Sequence, residues 1–157
     1  MPDNVCDHYK NTSNIYFPDP EDNTDSTVII KEGDSCETFN INATRILFEQ
    51  NSCSGDELHE LYMSGYPSLE RIVTKANTFK NTYSATFKDM DNLIFISFGE
   101  NSFTGNISNT PIFADNSILT ITNCSSLTTL LFEERAFLSF RHFNITGNYS
   151  LHYYYYY

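Results

Sequence analysis

One pattern constrains this chain more than any other property it has. The stretch LIFISFGENSF at residues 93–103 reads L-x-x-I-x-F-x-x-N-x-F. The same spacing recurs upstream in Leu69, Ile72, Thr74, Asn77 and Phe79, and downstream in Leu127, Leu130, Phe132, Arg135 and Phe137. A further copy is carried by Ala43, Ile46, Phe48, Asn51 and Cys53. A second block precedes each following start: Leu61 and Met63, Ala85 and Phe87, Leu119 and Ile121, Phe143 and Ile145. The two blocks keep their mutual phase although the segments between them differ in length, which accidental periodicity rarely does.

Alternate side chains of a strand face one way, so the fourth and sixth residues of each copy point into one interior. A single copy cannot bury them. Stacked copies can, with like residues above like. Composition agrees with strands, since β-branched and aromatic residues dominate the apolar set while Asn, Ser and Thr replace helix formers. The ninth-position Asn51, Asn77 and Asn101 are expected to form a ladder in which each side-chain amide bonds neighbouring backbone; Arg135 interrupts it at a partly exposed turn.

The pattern resembles the L-x-x-L-x-L-x-x-N-x-L signature of leucine-rich repeats. A unit of about 24 residues closed by an aromatic, with a second short extended block, is similar to BspA-like repeats. The resemblance implies a mainly β leucine-rich-repeat solenoid, a short curved stack of about four coils with few or no helices. Its concave strands would be the first blocks and its convex side the second blocks. Ala43 and Thr74 are weak core residues for such a stack, and the interval between copies is uneven.

Residues 1–38 read as a polar, acidic N-terminal tail. Residues 18–25, PDPEDNTD, hold no core-forming side chain and two prolines. Ile15, Tyr16 and Phe17 are a short apolar stretch that could dock on the stack, and the TVII run at 27–30 could cap its first coil. The solenoid would occupy 39–157. Residues 104–116 are expected to form a surface insertion in the third coil. At the C-terminus Leu151 and Tyr154 are in phase for a fifth copy that then stops, so the chain reads as part of a longer repeat protein.

A net charge of −11 opposes binding to nucleic acid and to anionic membranes. No stretch is long and apolar enough to insert in a bilayer. No secretory signal is visible, so a cytoplasmic location is the default and a surface or secreted one follows if the chain is a fragment. Six N-glycosylation sequons, at Asn11, Asn42, Asn106, Asn123, Asn144 and Asn148, pull toward secretion but only mildly exceed chance. The cysteines Cys6, Cys36, Cys53 and Cys124 lack zinc-site spacing. They could form two disulfides in a secreted chain; in a stacked one Cys53 is expected to fill a small apolar slot.

Catalytic constellations are missing from the sequence. The run Glu57 to Leu61 is half of a zinc-protease helix motif, with Met63 where the second His belongs. His59 therefore reads as a surface histidine. The acidic pairs Glu133–Glu134 and Asp89–Asp91 read as solvated turn charges. There is no phosphate-binding Gly loop and no nucleophile elbow, so no enzymatic role, metal or cofactor is expected.

What remains is a surface. The outward positions of the first blocks are Arg45, Leu47 and Glu49; Arg71, Val73 and Lys75; Phe95, Ser97 and Gly99; Thr129, Leu131 and Glu133. Arg45, Leu47, Arg71, Val73, Phe95, Thr129 and Leu131 form the candidate site, an apolar band edged by arginine. The expected partner is a protein of unknown identity. Self-association through the C-terminal edge is the second expectation.

Overall fold

A computed structural model describes residues 26–55, 58–105, 117–148 and 151–155, the last three by their backbone alone. Residues 1–25, with Ile15 to Phe17, and most of the 104–116 insertion lie outside the described residues. The described chain is mainly β and contains no helix.

Among the described residues ten short strands form two sheets and, after the first two, alternate between them. Strands β1 (Thr27–Ile30), β2 (Arg45–Phe48), β4 (Arg71–Thr74), β6 (Phe95–Phe98), β8 (Thr129–Phe132) and β10 (His152–Tyr155) form a six-stranded sheet in that order. Strands β3 (Glu60–Ser64), β5 (Ser84–Lys88), β7 (Ile118–Thr122) and β9 (His142–Thr146) form the other. Every pairing is parallel. Parallel neighbours need a crossover, and from β2 onward the crossover from one strand to the next in its sheet is a strand of the opposite sheet; β1 and β2 are joined by the loop 31–44 instead.

Register follows the two sequence phases. Ile46 pairs with Ile72, Ile72 with Ile96, and Ile96 with Leu130. In the second sheet Leu61, Ala85, Leu119 and Phe143 stand in one row, and Met63, Phe87, Ile121 and Ile145 in another. Apart from Phe143, which is exposed, the residues of these rows and of the row from Ile46 to Leu130 pack into a single core. The TVII run pairs with β2, placing Val28 beside Ile46 and Ile30 beside Phe48.

β10 departs from expectation by one residue. Tyr153, not Tyr154, stands opposite Leu130, and Tyr154 stands opposite Leu131. A one-residue slip exchanges the faces of a strand. A run of identical tyrosines has no pattern of its own to oppose the slip.

The turns after the first blocks share one unusual conformation. Asn51, Asn77, Asn101 and Arg135 have φ of 63°, 60°, 54° and 58°. Two residues later Cys53, Phe79, Phe103 and Phe137 also lie in the left-handed region, at 55°, 50°, 52° and 58°. The expected ladder of side-chain amides is absent. Instead the backbone N–H of Asn51, Asn77 and Asn101 donates to the carbonyls of Ala76, Glu100 and Glu134. Asn suits the position because its short polar side chain tolerates positive φ. The eleventh-position N–H donates the other way, Phe79 to Ser52, Phe103 to Thr78 and Phe137 to Ser102. The two middle turns are thereby tied to both neighbours and the outer two to one each, and the small residues Ser52, Thr78, Ser102 and Ala136 recur between the tied positions.

Phe79 and Phe103 stack with ring centroids 4.7 Å apart, and Phe103 and Phe137 do the same. Phe98 meets this column edge-on, 5.5 Å from Phe103 and 4.6 Å from Phe137. Cys53 does not fill an apolar slot alone, contrary to the expectation for it. It forms a disulfide with Cys36, with Cα atoms 5.6 Å apart. The loop after β1 reaches the first turn at this point, bringing the two cysteines within bonding range.

The weak core residue Thr74 has a specific partner. Elsewhere the seventh-position N–H donates to the carbonyl of the preceding copy's sixth residue, as Lys75 does to Phe48 and Glu133 to Phe98. At Gly99 the N–H donates to Thr74 Oγ1 at 2.9 Å. Thr74 Oγ1 itself lies 3.3 Å from the Ser97 carbonyl, to which it donates. A Cβ at Gly99 would lie 2.5 Å from both Lys75 C and Thr74 O, so only glycine fits this approach.

Candidate interaction surface

The six-stranded sheet turns Ile46, Ile72, Ile96 and Leu130 inward, so the residues between them share its other face. One row runs across the strands as Arg45, Arg71, Phe95 and Thr129, each half-buried. Beside it run Leu47, Val73, Ser97 and Leu131. The predicted residues are thus brought together in two adjacent rows. Arg71 places its guanidinium carbon 5.7 Å from the centre of the Phe95 ring, a cation–π contact that spreads its charge over an apolar neighbour. A third row carries charge: Lys75 Nζ donates to Glu49 Oε2 at 2.7 Å, and the Glu100 N–H donates to Glu133 Oε2 at 3.1 Å.

Three outward positions differ from the sequence-based picture. Leu131 is 5% exposed and Ser97 and Gly99 are buried, so none is an accessible contact. Leu131 lies outside the shared core although it is buried. Conversely, Ile29 on β1 stands beside Leu47 and is 40% exposed, extending the apolar row by one strand. Alternation within TVII, with Val28 and Ile30 inward, carried that signal, although β1 lacks the rest of the pattern.

Other chemical groups lie away from this face. His59 stacks on Tyr83 at 5.7 Å, with its Nδ1 3.4 Å from the Asn81 carbonyl, and is half-buried rather than a surface histidine. His142 opens β9 and is exposed. Cys124 is a buried free thiol. Burial pushes its thiol above the usual range; a backbone hydrogen bond at Met90 opposes the shift and the nearby Asp89 and Asp91 carboxylates add to it. Such a group is a poor nucleophile. A groove of about 930 Å³ opens beside the disulfide, lined in part by Glu32, Asp34, Glu37 and Lys80. Among the described residues no three His, Cys, Asp or Glu side chains converge as metal ligands.

Comparison with protein-family models, with curated proteins and with solved structures finds no match for this chain.

Proposed function

We propose that the chain is a leucine-rich-repeat solenoid of the BspA-like kind and acts as a protein-interaction module, without catalysis, cofactor or metal. Its alternating strands and regular register are what a stack of such coils would need, and its first blocks would line the concave side. The observation that carries the functional reading is the pair of rows on the six-stranded sheet: Arg45, Arg71 and Phe95 beside Ile29, Leu47 and Val73. Half-buried apolar side chains edged by guanidinium suit a partner presenting an apolar element next to a carboxylate.

The test uses Arg71→Glu combined with Val73→Asp, both on the outward face, so the core is untouched. Cross-linking in native extract followed by mass spectrometry identifies what the unaltered chain captures through this face. The double variant is expected to lose those cross-links while keeping its circular dichroism and thermal midpoint. Unchanged cross-links with a folded double variant would sink the reading.

A structural, self-associating role is the second reading. It is favoured by Phe143, on β9 at the end of its row yet 49% exposed, and by Leu138 nearby in sequence at 68%. Sizing across a concentration series is expected to show a growing species; a single monomeric size throughout would exclude it.

A further inference from the structure

Three observations concern not the partner-binding face but the processing of the chain. The disulfide between Cys36 and Cys53 forms and persists in an oxidising compartment. N-glycosylation sequons at Asn42 and Asn144 present exposed side chains whose amides make no hydrogen bond to the described residues. The third is Thr44, whose hydroxyl is buried without a hydrogen-bond partner. A buried, unpaired hydroxyl costs the fold its desolvation and returns nothing, where valine would have the same shape. The hydroxyl two residues after Asn42 is, however, what an N-glycosylation acceptor requires.

We infer that Asn42 and Asn144 are glycosylated in the native protein, whereas Asn123 and Asn148 are left unmodified. Asn144 lies on β9, the terminal strand of its sheet in the described structure, on the face opposite the core. There the sugar projects from the second sheet, on the far side of the molecule from Arg71 and Phe95. Asn148 is committed elsewhere: its Oδ1 accepts from the Cys124 N–H at 3.1 Å and its Nδ2 donates to the Ile121 carbonyl at 3.4 Å. Asn123 donates through Nδ2 to Asp89 Oδ1 at 2.9 Å. A sugar on either nitrogen would wedge apart the turns that these bonds hold together.

The donor is an oligosaccharide linked to a lipid diphosphate. Its anomeric carbon bonds to Asn Nδ2 as the bond from that carbon to the diphosphate oxygen breaks. The lipid diphosphate leaves with the electron pair, and Nδ2 gives up one proton.

The test takes the full chain from its own cells, releases glycans enzymatically in heavy-oxygen water and maps the resulting Asp residues by mass spectrometry. Label is expected at Asn42 and Asn144, with Cys36 and Cys53 recovered as one cross-linked peptide pair. Absence of label at either site, or label at Asn123 or Asn148, would overturn the inference. A second measurement separates glycosylation from folding. In a host with a secretory pathway, Thr44→Val is expected to lose the Asn42 glycan without lowering the thermal midpoint, and Thr44→Ser to keep the glycan. A glycan retained in Thr44→Val, or a lowered midpoint, would count against the role given to Thr44.

Discussion

The eleventh position of the aligned segments is handled differently at the first segment and at those that follow. Phe79, Phe103 and Phe137 form a column of stacked rings, and Phe103, in the middle, has a ring on each side. At the first segment the residue is Cys53, and the column gives way to a covalent bond to Cys36. The backbone conformation is nonetheless the same, with φ within a few degrees in all four. The turn geometry is thus the same whichever side chain stands there, while the side chain supplies whatever closure its surroundings allow. In the middle, dispersion between rings suffices because neighbours exist on both sides. At the first segment the partner comes from the loop after β1, and a disulfide holds that loop.

Breaking the column should cost most. Phe103→Ala removes two stacked contacts and one edge-on contact from a fully buried site, with a loss of about 3–5 kcal/mol expected for a large buried ring. Chemical denaturation monitored by circular dichroism measures it. A loss below about 1.5 kcal/mol, the range of mild core truncations, would mean that the rings fill space without organising the core.

Opening the disulfide should cost somewhat less and in a different place. The bond spans 17 residues, and a loop of this size is worth about 3 kcal/mol of chain entropy. Cys36→Ser with Cys53→Ser is expected to lower stability by roughly that amount. The loss should be local: hydrogen exchange in β1 and β2 should quicken first, while β5 and β7 keep their protection. Uniform acceleration across both sheets would show that the closure of the first segment and the aromatic column are one cooperative unit rather than two devices.

Much of this arrangement was legible in the residues. Ile46, Ile72, Ile96 and Leu130 announce their shared row because burial on one face demands alternation, and the second block announces the opposite sheet in the same way. What escaped the sequence depends on contacts between distant residues. Nothing near Cys53 names Cys36. A phenylalanine in the left-handed region follows no local preference, since the conformation is imposed by ties to the segments on either side. Leu131 reads as outward by alternation and lies outside the shared core, yet it is buried. Thr74 reads as a defect until Gly99 is seen to need its hydroxyl. Ile29 belongs to a strand that joins the sheet without the rest of the pattern, so no repeat position announces it.

The smallest effect tests why asparagine stands at the ninth position. Asn77 holds φ 60°, and its backbone N–H, not its side chain, bonds the next segment. If backbone conformation is the whole reason, Asn77→Gly should change stability by under about 0.5 kcal/mol, because glycine adopts this region freely. Asn77→Ala should lose up to about 1–2 kcal/mol, because alanine bears the full cost of the left-handed region while the short polar side chain of asparagine offsets part of it. Arg135 occupies the same conformation at 58° without the advantage of asparagine, so Arg135→Gly should gain about 1 kcal/mol. Thermal unfolding of the three variants side by side decides the matter. A costly Asn77→Gly would mean that the side-chain amide contributes after all. A neutral Asn77→Ala would mean that the ties on both sides of the turn, not the residue placed there, carry the conformation.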